Sequence, residues 1–198
     1  MHPHFAAADD KPAKPEKGDR LEEQLAFKSR YVLVFGEVTD MLAQAVCRRL
    51  LALSEDSEAP ITMLISSPGG HVESGDAIHD MIRFVRAPVT TVGTGWVASA
   101  GAHIFLAPPK DRRVCLPNTR FMIHQPAGGA GGQATDIAIQ AREILRTRER
   151  IARVIATQTG KSYATVLADM ERDFWMNAEE AVKYGIVSRI IDRQKDLG

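Results

Sequence analysis

Apolar residues recur along this chain in two alternating rhythms. Residues 31–36, Tyr-Val-Leu-Val-Phe-Gly, make a β-branched and aromatic run that stops at glycine, which predicts a strand. Thr39 then stands where a helix cap belongs, ahead of a stripe at Leu42, Val46, Leu50 and Leu53. The unit repeats, with a strand over 61–66, a Ser67-Pro-Gly-Gly70 turn, and a helix over 74–84 that aligns Ala77, Ile78, Met81 and Ile82. A third strand begins at 89–92 and a third helix near Ser99. Strands alternating with helices at this spacing predict parallel pairing through right-handed crossovers, an α/β fold.

Short strands are expected over 113–116 and 120–124. Residues 134–160 then carry Ile137, Ala141, Ile144, Ile151 and Ile155 with charges between them, a helix of about seven turns. A chain of 198 residues does not need so long a helix for its own core, so part of it is expected to protrude or pack on another subunit.

Composition works mainly by exclusion. Twenty-five Lys plus Arg balance twenty-five Asp plus Glu, so the positive excess that a nucleic-acid backbone requires is missing. Cys47 and Cys115 lack CxxC spacing, which predicts free thiols in a reducing compartment, neither disulfide nor zinc, and a cytoplasmic location. Residues 87–109 hold no Asp, Glu, Lys or Arg, but Gly, Thr, Ser, Pro and His103 interrupt them, so a buried strand, turn and helix is expected rather than a membrane span. Between Asp9 and Arg30, 12 of 22 residues are charged and two are proline. Residues 1 to about 20 therefore read as a mobile arm, and 21–198 as one domain.

Three segments could carry chemistry. Gly95-Trp-Val-Ala-Ser99-Ala-Gly101 sets a serine among small residues at a helix start, where a developing negative oxygen is favoured; a plain N-cap is the competing reading. Val97 occupies the place of the first glycine in a GxSxG elbow, so that motif does not apply. His124 ends an apolar strand before proline and a glycine cluster, where it reaches a cleft or sits as a satisfied core histidine. Ser67-Pro-Gly-Gly70 can turn a backbone N–H toward a bound oxygen, or be only a β-turn.

Ser-Pro-Gly-Gly, Ala-Ser99-Ala-Gly, Met-Ile-His124-Gln-Pro and Glu-Arg172-Asp173 occur in this order and at these intervals, and so the chain resembles the proteolytic-subunit family of the Clp (caseinolytic) serine protease. The likeness runs over residues 25–191 and includes Ala134-Thr-Asp-Ile137 and Ala141-Arg-Glu-Ile-Leu145. The resemblance implies a crotonase-like spiral of strand and helix units with a protruding handle helix. It implies Ser99 as nucleophile, His124 as base, Asp173 as acid, and the amides of Gly70 and Ala100 as oxyanion donors. It further implies a peptide-binding loop at Gly128, Gly129, Gly131 and Gly132, and contacts at Asp169 and Arg172 between two stacked seven-membered rings. Thr62, Leu64 and Phe84 match positions of an unfoldase docking pocket.

The implied activity is cleavage of unfolded polypeptides in a double-ring chamber, without metal or organic cofactor, ATP being used only by a partner AAA+ unfoldase. A second Clp ring is another implied partner. Two departures stand out: Ala100 where the family usually has Met, and a glycine loop without the usual bulky residue. Two other readings remain open from the residues: a crotonase-like acyl-CoA enzyme, which would not need Ser99, His124 and Asp173 together, and a structural ring subunit.

Overall fold

The computed structural model describes residues 17–129 and 131–197. The sequence-based arm lies outside the described residues up to residue 16; from there α1 (Lys17–Lys28) is helical, ahead of β1 (Tyr31–Phe35). α2 (Asp40–Asp56), β2 (Ile61–Ser67), α3 (Val72–Phe84), β3 (Val89–Ala98) and α4 (Ala100–Phe105) follow. Then come β4 (Arg113–Cys115), β5 (Arg120–Ile123), α5 (Ala134–Thr159), α6 (Tyr163–Asp169), β6 (Phe174–Met176), α7 (Ala178–Tyr184) and β7 (Arg189–Ile190). β1, β2, β3, β4 and β7 lie side by side in that order, each pair parallel.

The alternation in β2 shows why helices cover this sheet. Ile61, Met63, Ile65 and Ser67 are buried on one face, while Thr62, Leu64 and Ser66 on the other are only half-buried. α2 lays Ala43, Val46, Leu50 and Leu53 into the same core, with Leu42 at its margin, and the Thr39 hydroxyl caps it by accepting from the Leu42 N–H. α4 is buried at all six of its residues.

β3 is longer than its sequence run suggests, and at it the single seven-stranded sheet branches. Thr91–Gly93 pairs with β4, whereas Trp96–Ala98 pairs with β5, which in turn pairs antiparallel with β6. Between the two halves the register with β2 slips from Ile65↔Gly93 to Ser67↔Val97, so β3 carries two extra residues there, around Gly95 at φ 58°. Such a bulge bends and twists a strand, and here it marks the change of β3's partner from β4 to β5 just before Ser99.

α5 has 26 residues, about 39 Å at 1.5 Å per residue, and only Ala152 and Ile155 in its second half are buried. Ile137, Ile139 and Leu145 are exposed. The helix ends at Gly160 in the left-handed region, and the buried Arg113 donates through Nη2 to the Gln158 carbonyl at 2.8 Å. The negative end of the helix thus meets a guanidinium whose pKa burial pushes down to about 10.

Candidate active site

Ser99 joins β3 to α4 with φ 55° and ψ −120°, a conformation that costs a non-glycine residue roughly 1–3 kcal/mol. Two bonds hold it there: its N–H donates to the Met122 carbonyl at 2.9 Å, and its carbonyl accepts from the His103 N–H at 3.1 Å. The side chain makes no cap bond, which removes the N-cap reading and leaves the hydroxyl for other work. His124 follows β5 and Asp173 precedes β6. Because Ile123 pairs with Phe174 across that antiparallel ladder, the next rung sets His124 opposite Asp173.

The three side chains form one hydrogen-bonded line. Asp173 Oδ1 accepts from His124 Nδ1–H at 2.9 Å, and His124 Nε2 accepts from the Ser99 hydroxyl at 2.8 Å. His124 is three-quarters covered while Asp173 is largely exposed, so the acid is held by bonds rather than by burial. The intervening backbone is pinned where the Gln125 N–H donates to the Met170 carbonyl at 2.7 Å and Gln125 Nε2 donates to the Glu171 carbonyl at 3.0 Å. The arrangement can deprotonate a hydroxyl and store the proton on an imidazole already oriented by a carboxylate.

Gly70 bridges Val38 in parallel fashion: Val38 N–H donates to the Gly69 carbonyl and His71 N–H to the Val38 carbonyl, both at 2.8 Å. In that pattern the Gly70 N–H points away from Val38 and is left for an outside acceptor. Gly70 has φ 147°, and a Cβ there would lie 2.4 Å from the Val38 carbonyl oxygen, so only glycine fits. Ala100 is the first residue of α4, where helix N–H groups lack internal partners. Both expected oxyanion donors therefore lie on segments that leave their amides unused by regular structure.

Beside Ser99 a pocket is walled by Val72, Ala100, Ala102, Ile123, Pro126, Ile151 and Ile155, with His103 and His124 on its rim or floor. A second groove runs from Gly70, His71 and Glu73 to Pro126, Gly128 and Gly129, backed by Ile144 of α5. Of the expected loop residues, Gly128 and Gly129 line it; Gly131 and Gly132 do not.

A charge cluster that the sequence reading missed lies under the pocket. Asp76 takes two 2.6 Å bonds from Arg150, and its Oδ1 lies 2.9 Å from His103 Nε2. Burial works to raise the Asp76 pKa, but bonds from His103 and Arg150 outweigh it and hold the carboxyl well below its usual range. A second serine, histidine and acid group occurs at Ser74, His71 and Asp40, yet it is wired differently. His71 Nδ1 faces both Ser74 Oγ at 2.8 Å and Asp40 Oδ1 at 3.0 Å, and the Ser74 hydroxyl donates directly to Asp40. A serine proton already given to a carboxylate leaves no imidazole free to activate it.

The remaining expected residues lie elsewhere. Asp169 is half-buried and accepts from the Tyr184 hydroxyl at 2.7 Å, while Arg172 is exposed. Leu64 lines a groove with Tyr31, Val92, Leu116, Ile191 and Leu197; within one chain neither Thr62 nor Phe84 borders it. Among the described residues no group of three or more His, Cys, Asp or Glu is placed to hold a metal, and no helix is long and apolar enough to cross a membrane.

The family described as Clp protease matches residues 16–194. The ATP-dependent Clp protease proteolytic subunit 3 of Rhizobium johnstonii is 52% identical, covering 96% of this chain and 97% of its own. The corresponding subunit 2 of Pseudomonas aeruginosa is 49% identical over 91% of this chain and 89% of its own. The structure of ClpP1 from Listeria monocytogenes superposes with a TM-score of 0.82 at 50% identity, covering 90% of this chain and 99% of that one. Neither the acyl-CoA enzyme nor the structural-subunit reading accounts for similarity of this extent to proteolytic subunits. With the fold, its protruding helix and the family match in agreement, the chain belongs to the Clp protease family and is a serine-type endopeptidase subunit.

Proposed function

We propose that Ser99 is the nucleophile, His124 its base and Asp173 the acid that fixes the imidazole. The observation that carries this is the unbroken line of 2.8 Å and 2.9 Å bonds from Ser99 through His124 to Asp173. Ser99 Oγ attacks the peptide carbonyl as His124 takes its proton, and the amides of Gly70 and Ala100 receive the oxyanion. The imidazolium then protonates the leaving amine, giving an acyl-enzyme. Water, deprotonated by His124, resolves it by the reverse sequence.

The groove between His71 and Gly129 accepts the polypeptide as an added strand, Gly128 and Gly129 allowing close backbone approach, and the apolar pocket takes the side chain preceding the scissile bond. Gly131 and Gly132 continue the same glycine segment, whose lack of a bulky side chain weakens its clamp on the bound chain. The protomer works as an oligomer, which we read as two stacked seven-membered rings joined through the exposed half of α5, with Asp169 and Arg172 at the ring contact. Exposed Ile137, Ile139 and Leu145 give that half an apolar surface to bury. An AAA+ unfoldase or a second Clp ring docks at the Leu64 groove, with Thr62 and Phe84 contributing where neighbouring protomers meet. We place the assembly in the cytoplasm, in keeping with free thiols at Cys47 and Cys115.

Labelling with a fluorophosphonate and peptide hydrolysis test the site. The parent is phosphonylated at Ser99 with loss of fluoride and hydrolyses peptides, and Ser99→Ala loses both while native mass spectrometry shows the same assembly. Residual hydrolysis within about tenfold of the parent would remove Ser99 from the mechanism, since loss of a nucleophile costs orders of magnitude.

A further inference from the structure

The cluster beneath the pocket takes no part in the hydrolytic steps, yet it bears on what the pocket can hold. His103 sits in α4, four residues after Ser99, and is 5% exposed. Its Nε2 lies 2.9 Å from Asp76, the same carboxylate that Arg150 grips twice. His79 stacks on the ring at a centroid distance of 4.3 Å, and its own Nδ1 lies 2.9 Å from the His103 carbonyl oxygen. One face and one nitrogen of His103 are thus fixed. The other nitrogen, Nδ1, is buried without a hydrogen-bond partner among the described residues, although His103 borders the pocket. Apart from Ser99, His124 and His103, every side chain lining that pocket is apolar.

Arg150 already meets the Asp76 charge, so the carboxylate requires only a hydrogen from His103. That sets the Nε2–H tautomer and leaves Nδ1 a bare acceptor. A buried acceptor without a donor is unfavourable, and a substrate donor arriving there removes the penalty. The pocket is narrow and open on one side, with about 30 Å³ of free space, room for roughly two waters, which suits the tip of a slim unbranched side chain better than an aromatic ring.

We propose that His103 Nδ1 is the specificity acceptor of this pocket, selecting substrates whose residue before the scissile bond carries an N–H donor on a slim apolar stem, glutamine ahead of its near-isostere methionine. The assignment rests on the Ser99 acyl-enzyme reading above. Asp76, Arg150 and His79 are positioning residues that hold the ring and its tautomer without touching substrate.

Two fluorogenic peptides, identical except for Gln or Met before the cleaved bond, give the test as a ratio of kcat/KM. The parent favours Gln by about tenfold, the worth of one well-placed hydrogen bond. His103→Phe keeps a ring and turns the preference to Met, and Asp76→Asn lowers the ratio through the KM of the Gln peptide. A parent that favours Met overturns the assignment with no variant needing to fold, as does a ratio that His103→Phe leaves unchanged. Fluorophosphonate labelling of the same samples separates the two levels: a labelled parent with the wrong ratio removes His103 alone, whereas an unlabelled parent removes the Ser99 reading as well.

Discussion

Gly69 lies against Ser99 with no room for a side chain between them: a Cβ on Gly69 would sit 2.6 Å from Ser99 Cβ and 3.0 Å from the Ala98 carbonyl oxygen. Gly69 also has φ 100°, so alanine there is strained before it clashes. The contact holds the Gly69-Gly70 turn against Ser99, the proposed nucleophile, next to the amide proposed as an oxyanion donor. Gly69→Ala is therefore expected to cut kcat by at least a hundredfold and to cost about 1–3 kcal/mol of stability through overpacking. Peptide hydrolysis and thermal melting check this; a variant with parental kcat would show that the turn does not position the donor.

The elbow at Ser99 makes a separate forecast about stability. Glycine adopts φ 55°, ψ −120° without the Cβ conflict that serine and alanine suffer, though it has more unfolded-state freedom to lose. Ser99→Gly and Ser99→Ala should both be inactive, with the glycine variant more stable by about 1 kcal/mol, a few degrees in Tm. Equal melting temperatures would mean that the elbow stores no strain.

Which parts of this were readable from the chain follows from how local each signal is. β1, β2, α2 and α5 announce themselves by periodicity, and the three residues proposed as the triad, which the fold does bring into one hydrogen-bonded line, by motifs whose order survives any folding. β3 was cut short because its second half, Thr-Gly-Trp-Val-Ala, loses its apolar run at the bulge, and only the pairing of Trp96–Ala98 with β5 keeps it extended. α7 was missed although its start is written out: the Asn177 side chain accepts from the Glu180 N–H while Glu180 returns the bond, and Gly185 ends the helix. The Asp76 cluster had no such signal, since Arg150 and His103 reach it from 74 and 27 residues away. Long-range charge partners leave no trace in spacing.

Stability should fall with acid in two steps. Burial, and then the neighbouring His103, push the His79 pKa down to about 4. A histidine depressed in the folded state contributes stability that is fully present above its unfolded value of ~6.5 and is lost as pH falls from there to about 4. Asp76 is held below its usual range, so its contribution is present above ~3.9 and disappears only under that. Melting temperature against pH should show both steps, His79→Phe flattening the upper and Asp76→Asn reducing the lower. A parental Tm that stays level from pH 6.5 to 4.5 would remove His79 from the account.

Arg172 stands next to Asp173 in sequence and is exposed, so a contact there reaches the triad through one peptide unit. On the stacked-ring arrangement proposed above, Arg172→Ala is expected to weaken assembly and to lower peptide hydrolysis in step with it. Native mass spectrometry alongside kinetics decides the matter, a fully assembled and fully active variant making Arg172 an ordinary surface charge.

Leu64 packs at the margin of a small second core of Val92, Val114 and Ile191 and lines a groove with Leu116 and Leu197, where Tyr31 is the single aromatic among the described lining residues. Gln194 donates to the Tyr31 hydroxyl at 2.7 Å, so the short turn Gln194–Leu197 is tied to that ring's polar end. Aromatic side chains bury about 150–250 Å² each and dominate interface energetics, and on the docking site proposed above an aliphatic groove gives a partner loop correspondingly less to hold. The homo-oligomer with its host's AAA+ unfoldase and ATP should therefore degrade a tagged folded substrate slowly, and adding a second, aromatic-lined Clp ring should restore the rate. Leu64→Phe, which returns ring area to the groove, should raise degradation several-fold while leaving hydrolysis of short peptides unchanged, because those enter without a partner. Rapid degradation by the parent ring alone, unaltered in Leu64→Phe, would show that an aliphatic groove anchors the unfoldase well enough and that the shortage of aromatics has no consequence for docking.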